Sequence, residues 1–222
     1  MPLERIVEPE LLDTLPHDHP DALHNRRDLR IFNGLARNFV WLAGQLERHG
    51  WPGMRVLEIG AGEGCLGALV ARRGQLPEGA SISGLDVIPR PTAWPLSWGW
   101  HQGDLLTFDG YGDYDVVAAN YILHQFDDAA LEGLGETLRQ AGLRLMLACE
   151  TQRSRLQMRL LPAFAFVTRM NYVSRHDAAV SLRGGFLPGE MGTVLGTRAP
   201  EWNTHEKALP FGSVRLRAVK KT

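Results

Sequence analysis

The sequence predicts an α/β fold, with a mostly parallel sheet covered by helices on both faces. Three observations predict it. Short apolar runs alternate along the chain with segments of helical spacing. The interior runs, such as "YDVVAANYIL" and "LRLMLACE", are apolar at successive positions, as strands buried on both faces must be. The run from Met54 to Ile59 leads straight into a loop holding Gly60, Gly62, Gly64 and Gly67, after which helical spacing resumes, a strand–loop–helix unit that lets a ligand approach the backbone closely.

Taken in order, residues 1–20 contain Pro2, Pro9, Pro16 and Pro20 and read as an extended lead-in with at most one short helix near Glu8 to Leu15. From Asp21 to His49, Leu29, Phe32, Leu35, Ala36, Phe39, Val40, Ala43 and Leu46 recur at spacings of three and four, which predicts one helix with an apolar face. Arg26, Arg27, Arg30 and Arg37 lie mostly off that face. The helix after the glycine loop is expected over Leu66 to Arg73, with Gly74 as its stop. "SISGLDV" predicts a second strand, and "PRPTAWPLSWGW" is too proline-broken for a long helix. A short third strand in "WHQGDLLTF" and a fourth in "YDVVAANYIL" precede a helix with an acidic start, "DDAALEGLGETLRQAG", and a fifth strand, "LRLMLACE". Residues 153–170 look helical despite Pro162, "HDAAVSLRGGF" and "PGEMGTVLG" read as two short helices, and Trp202–Leu209 and Ser213–Val219 predict a hairpin joined at "PFG".

Composition narrows the function class. With 22% charged and 44% hydrophobic residues over 222 positions, the chain suits one soluble domain with a sizeable core, or one domain plus an appendage. A formal net charge of −1 gives no overall footprint for a nucleic-acid or membrane partner, and the apolar runs are too short to span a bilayer. The N-terminus has no basic and apolar leader pattern, so a cytoplasmic location is expected, with Cys65 and Cys149 as buried reduced thiols. His17, His19, His24, His49 and His101 are scattered without metal spacing, and no metal site is expected.

The glycine loop poses the chemical question of what it receives. A dinucleotide fingerprint starting at Gly60 requires glycine at position 65, where Cys65 stands, and the Lys-Ser/Thr of a phosphate loop is absent. Glu58, two positions before Gly60, would repel a pyrophosphate and attract an ammonium or sulfonium group.

"LEIGAGEG" resembles the first motif of class I S-adenosylmethionine-dependent methyltransferases, and further stretches resemble the family's motifs in order over roughly residues 25–222. The resemblance implies a Rossmann-like sheet of seven strands, mostly parallel with the last antiparallel, and S-adenosyl-L-methionine as cofactor. It places Glu58, Gly60, Ala61, Gly62 and Gly64 at the cofactor, and Asp86 with Val87 at the two ribose hydroxyls. Asp104 and the backbone at Leu105 in "GDLL" would face the adenine, and Asn120 in "YDVVAANYILHQF" the meeting point of cofactor and acceptor. "HDAAVSLRGGFLPGEM" resembles a late stretch in methyltransferases of small aromatic or polyketide-derived molecules. Residues 1–50 are then a helical extension or lid, and 51–222 the methyltransferase domain. One arginine of the N-terminal set, Arg27, could reach the cofactor carboxylate, the alternative being a solvated face.

His124, just past the fourth strand, is either the catalytic base or a hydrogen-bonded structural histidine. His176 could cap the helix that follows it or touch the substrate. A proline-free "NYIL" after the fourth strand and the neutral charge count against a nucleic-acid substrate. Trp94, Trp98, Trp100, Phe164, Phe166, Met170 and Tyr172 offer apolar surface for a hydrophobic acceptor, methylated at oxygen first and carbon next. A nicotinamide-dependent oxidoreductase and a catalytically silent relative are the alternatives, and neither membrane insertion nor a particular oligomeric state is expected.

Overall fold

The computed structural model describes residues 3–16, 18–74, 76–210 and 212–221; His17, and Phe211 in the expected "PFG" turn, lie outside them. Seven strands form one sheet in the order β3-β2-β1-β4-β5-β7-β6. They are β1 (Arg55–Ile59), β2 (Ser81–Asp86), β3 (Trp100–Gln102), β4 (Val116–Asn120), β5 (Leu145–Thr151), β6 (Trp202–Ala208) and β7 (Ser213–Lys220). The pairs β3–β2–β1–β4–β5 are all parallel, and only β7 runs against its neighbours.

Alternate residues of each central strand serve opposite faces. On one face Val56, Ile82, Val116, Ala118 and Leu145 pack under α2 (Asn38–His49) and α3 (Cys65–Arg73). On the other Leu57, Ile59, Val117, Ala119 and Met146 pack under α4 (Asp128–Gln140) and α7 (Glu190–Val194). The remaining helices, α1 (Pro20–Ala36), α5 (Arg155–Thr168) and α6 (Tyr172–Gly184), pack on one another beyond the carboxyl ends of the strands.

The helix expected over Asp21–His49 is two helices. Arg37 adopts a left-handed conformation (φ 52°), which ends α1 and starts α2. The break divides the segment functionally. Leu42, Ala43 and Leu46 of α2 are core residues of the sheet, whereas α1 buries Asn25, Asp28 and Asn33 and leaves Leu23, Leu29 and Leu35 exposed. The apolar stripe expected across both halves is therefore correct for α2 and misplaced on α1. The lead-in is extended apart from one turn of 3-10 helix at Leu12–Thr14. It is fastened by Arg5 Nε donating to Gly184 O (2.8 Å) and by Ile6 N donating to Arg183 O (3.2 Å). Helix α6 begins four residues before His176, and its cap is Asn171, so His176 caps nothing; its Nδ1 lies 3.0 Å from Asp177 Oδ1. Among the described residues, no helix is long and apolar enough to cross a membrane.

Candidate functional site

The chain leaves β1 toward β2 on one side and later toward β4 on the other, so a crevice opens at the carboxyl ends of β1 and β4, where open α/β sheets bind ligands. The glycine loop lies there. Gly60, Gly62 and Gly64 all have left-handed φ (63°, 51° and 72°), as the tight turn into α3 requires. Their surroundings differ. A Cβ on Gly60 would meet Ile122 at 2.6 Å and one on Gly64 would meet Trp94 at 2.7 Å, whereas a Cβ on Gly62 would meet nothing within 4 Å. Gly62 is the open side of the loop.

Four of the loop's amides are already used. Gly60 N and Ala61 N donate to Leu85 O, Gly62 N to Asp86 Oδ2 (2.7 Å) and Gly64 N to Ala61 O. Gly64 caps α3 with no side chain, and the Glu58 carboxylate takes a bond from the backbone N–H of Gly67 in the helix's first turn. A phosphate would find those four donors engaged and the Glu58 acid beside them, which disfavours it there.

Glu58 is buried, and its Oε2 has no hydrogen-bond partner. Burial, with the nearby Asp86 charge and against the Gly67 bond, raises its pKa to about 8. Oδ1 of Asn120 also lacks a hydrogen-bond partner, and so do the oxygens of buried Asp28 on α1, which are in ion-pair range of Arg27 Nε (3.6 Å) and His24 Nε2 (3.5 Å). The Nδ2 of Asn120 donates to Asn33 Oδ1 (3.0 Å), which pins β4 to α1. Asp13 in the lead-in has a pKa raised to about 6 by burial and by the charges of Glu10, Asp177 and Asp86. The strand ends and the segments over them therefore carry several acceptors and acids. Orphaned oxygens of this kind suit a zwitterion with an ammonium and a sulfonium, and the residues fit S-adenosylmethionine at its charged end.

The other expected residues fall as follows. Asp86 ends β2 and accepts from Gly62 N and Ile88 N (3.1 Å), one amide on each oxygen, so each oxygen retains a lone pair for a hydroxyl. Val87 is exposed beside it. Asp104 is exposed and holds its own turn by accepting from Leu106 N (2.8 Å). The Leu105 side chain is part of the core, and its carbonyl accepts from Tyr111 Oη (2.6 Å), so only its backbone N–H side is open to a contact. Arg27 does not reach the loop. It donates to Thr168 O (2.9 Å) at the end of α5, and Arg30, one turn on, pairs with Glu63 in the loop (2.6 Å). Of the aromatic set, Trp94, Trp98 and Trp100 form an edge-to-face cluster, with Trp94 packed against α3, and Met170 is buried.

His124 departs most from a free base. Tyr121, with φ 53°, turns the chain after β4 so that Ile122 N, Leu123 N and His124 Nδ1 all meet the carboxylate of buried Glu150, at 2.8, 2.6 and 2.7 Å. Its Nε2 lies 3.2 Å from Glu10 Oε1, and Glu10 also takes bonds from Ser181 and Gln125. Burial pulls the imidazole pKa down, but the Glu150 charge and the bonds to both carboxylates outweigh it and raise it to about 10. Glu10 is held below its usual value by His124 against its own burial. Next to this cluster, Asp177 accepts from Leu11 N, Leu12 N and Asn25 Nδ2. Sequence reasoning missed Glu10, Asp28, Asn33, Glu150 and Asp177; the polar residues "NRRDLRIFN" on α1 were the available signal.

No protein-family model matches the chain, and no curated protein matches it in sequence. Solved structures match it in fold. The plantazolicin methyltransferase BpumL, in complex with a triazolic desmethylPZN analog and SAH, aligns at a TM-score of 0.69 with 12% identity, over 95% of this chain and 93% of that one. Human N-acetylserotonin methyltransferase in complex with SAM aligns at 0.59 with 14% identity, over 95% and 61%. Magnesium protoporphyrin IX methyltransferase from Synechocystis PCC 6803 with bound SAH aligns at 0.55 with 17% identity, over 88% and 86%. The architecture is the one these methyltransferases share.

Proposed function

We propose that this chain is an S-adenosylmethionine-dependent methyltransferase acting on a small hydrophobic acceptor, aromatic or polyketide-like, at oxygen. One observation carries the reading: buried Glu58 presents an unpartnered oxygen beside a glycine loop whose Gly60, Ala61, Gly62 and Gly64 amides are already bonded, which favours a cationic ligand over a phosphate. The folds of the neighbours, solved with SAM or SAH, support it. Glu58, Asp28 and Asn120 would hold the charged end of the cofactor, Gly62 would let it approach, Asp86 and Val87 would flank the ribose, and Asp104 with the Leu105 backbone would border the adenine. When bound, the cofactor supplies a methyl group on a sulfonium, already activated for in-line displacement.

What remains for the chain is alignment and exclusion of water, effects that can supply roughly 7–11 kcal/mol of a barrier. The lead-in and α1, fastened across the strand ends, are placed to do this, so the lid is the segment before Arg37. His124, held as a cation, cannot take a proton at neutral pH; we assign it as the positioning residue that holds the lead-in to β5 through Glu10 and Glu150. Oxygen as the target rests on the proline-free Asn120-Tyr121-Ile122-Leu123 and on neighbours whose names include ring compounds, N-acetylserotonin and magnesium protoporphyrin IX. Calorimetry with S-adenosylmethionine, its demethylated product and NAD(P)H is the test. Binding of the first two and not the third is expected, and the reverse pattern overturns the reading. A labelled methyl donor offered with phenolic and amine acceptors then tests the atom.

A further inference from the structure

Helix α5 is buried at one residue, Ala165. Along its outer side, Leu156, Leu160, Phe166 and Val167 are 64%, 54%, 81% and 77% exposed, and they recur on one helical stripe. Exposed Arg155 and Arg159 lie within the same stripe, and exposed Arg169 follows its end. From Thr151 to His176 the chain has arginines at 153, 155, 159, 169 and 175 and no aspartate or glutamate. Only Arg153 of these is turned inward, paired with Glu190. The overall charge of −1 conceals this segregation.

We infer that α5 is a docking helix for an anionic lipid surface. The chemistry points there on three grounds. The helix carries its large apolar side chains outward and its cations among and beside them, the pattern of a helix that lies in the headgroup region with its apolar side a few ångströms into the acyl boundary. At 14 residues it is about 21 Å long, enough to lie along a surface and too short to cross one. A second copy is a poor occupant, because a two-fold contact would set arginine against arginine with no acid in the stripe to offset them. A nucleic acid would engage the arginines and leave Leu156, Leu160, Phe166 and Val167 in water. The site described above is close by: Arg27 of α1 bonds the Thr168 carbonyl of α5, and Arg30, one turn further, bonds Glu63 of the glycine loop.

Co-sedimentation of the full chain with vesicles tests the inference. Binding is expected to phosphatidylcholine vesicles containing phosphatidylglycerol, not to phosphatidylcholine alone, and is expected to weaken as salt rises. R155Q with R159Q, and separately F166S with V167S, should each reduce partitioning by about tenfold or more. All these positions are exposed, and circular dichroism of each variant should match the parent. Calorimetric affinity for S-adenosylmethionine is read alongside and should not change, so failure of the docking idea and failure of the enzymatic reading give different results. No sedimentation with anionic vesicles at low salt, or sedimentation that neither pair of substitutions alters, overturns the inference. So does a dimer in light scattering that F166S with V167S abolishes, which would assign the stripe to a second copy.

Discussion

Glu58 at the end of β1 and His124 just past the end of β4 are both buried ionisable groups on adjacent strands, and the structure treats them oppositely. His124 has a carboxylate on each ring nitrogen, and Glu150 fills its own capacity with two backbone amides as well. Glu58 has one helix amide and an oxygen with nothing on it. A buried charge whose valences are filled within the chain holds structure, because any newcomer must first displace a partner. A buried charge with a valence open is costly until something arrives. The difference is that the β4 side is fully paired within the chain and the β1 side keeps an oxygen open.

The largest effect should come from Glu150→Ala. It strands the His124 cation and two amides at once, and loss of one member of a buried pair costs about 3–5 kcal/mol of stability. Urea denaturation checks it, and a loss under about 1 kcal/mol would mean the cluster fastens nothing. Glu58→Gln should do the opposite: stability equal to or above the parent, with affinity for S-adenosylmethionine lower by roughly 10–100-fold through loss of a charge-assisted contact. Unfolding caused by Glu58→Gln would erase the distinction between the two sites.

Protonation sharpens the comparison further. His124 has its folded pKa raised above the unfolded value of about 6.5, so its stabilisation is complete below that pH and is lost as pH rises toward about 10. Stability of the parent should therefore fall over that interval more steeply than that of His124→Gln; equal slopes would remove His124 from the fastening. Glu58, with its pKa raised to about 8, is mostly protonated at pH 7, and a cation beside it favours the ionised form. Binding at pH 7 should release on the order of one proton, seen as calorimetric heats that differ between phosphate and Tris buffers. Heats that do not depend on buffer would place the cation elsewhere. The smallest effect belongs to Arg27→Ala, which loses a half-exposed bond to Thr168 and a 3.6 Å ion pair with Asp28. Stability should stay within about 0.5 kcal/mol and cofactor affinity within about threefold. Arg30→Ala, which frees Glu63 in the loop, should weaken binding more.

Glu58, Asp86 and the glycines could be picked out in the sequence as candidates because their signals are local: each lies at or just past the end of an apolar run, and loop spacing together with an acid two positions before Gly60 argues against a phosphate site. What escaped was whatever depends on distant partners. Nothing near His124 announces Glu10, 114 residues earlier, or Glu150, 26 later. Arg37 ends α1 in a conformation usually marked by glycine, so the sequence carried no stop signal. On α1 the buried side is polar because it faces the acids and amides of the site, so a search for an apolar stripe turned the helix outside in. Leu105 shows a finer limit, since the motif locates the residue without showing that its side chain turns into the core.

The fastening of the lead-in also bears on how the protein is made. Arg5 is bonded to Gly184, 179 residues further on, and Leu11 and Leu12 to Asp177. The lead-in is therefore made well before these partners, by roughly 10–35 s at ordinary elongation rates. Over that time the strands from β1 to β4 can pair in sequence order. The cover over the strand ends can close only once α6 is made, and a chain released short of α6 would lack the Gly184 and Asp177 groups that fasten the lead-in.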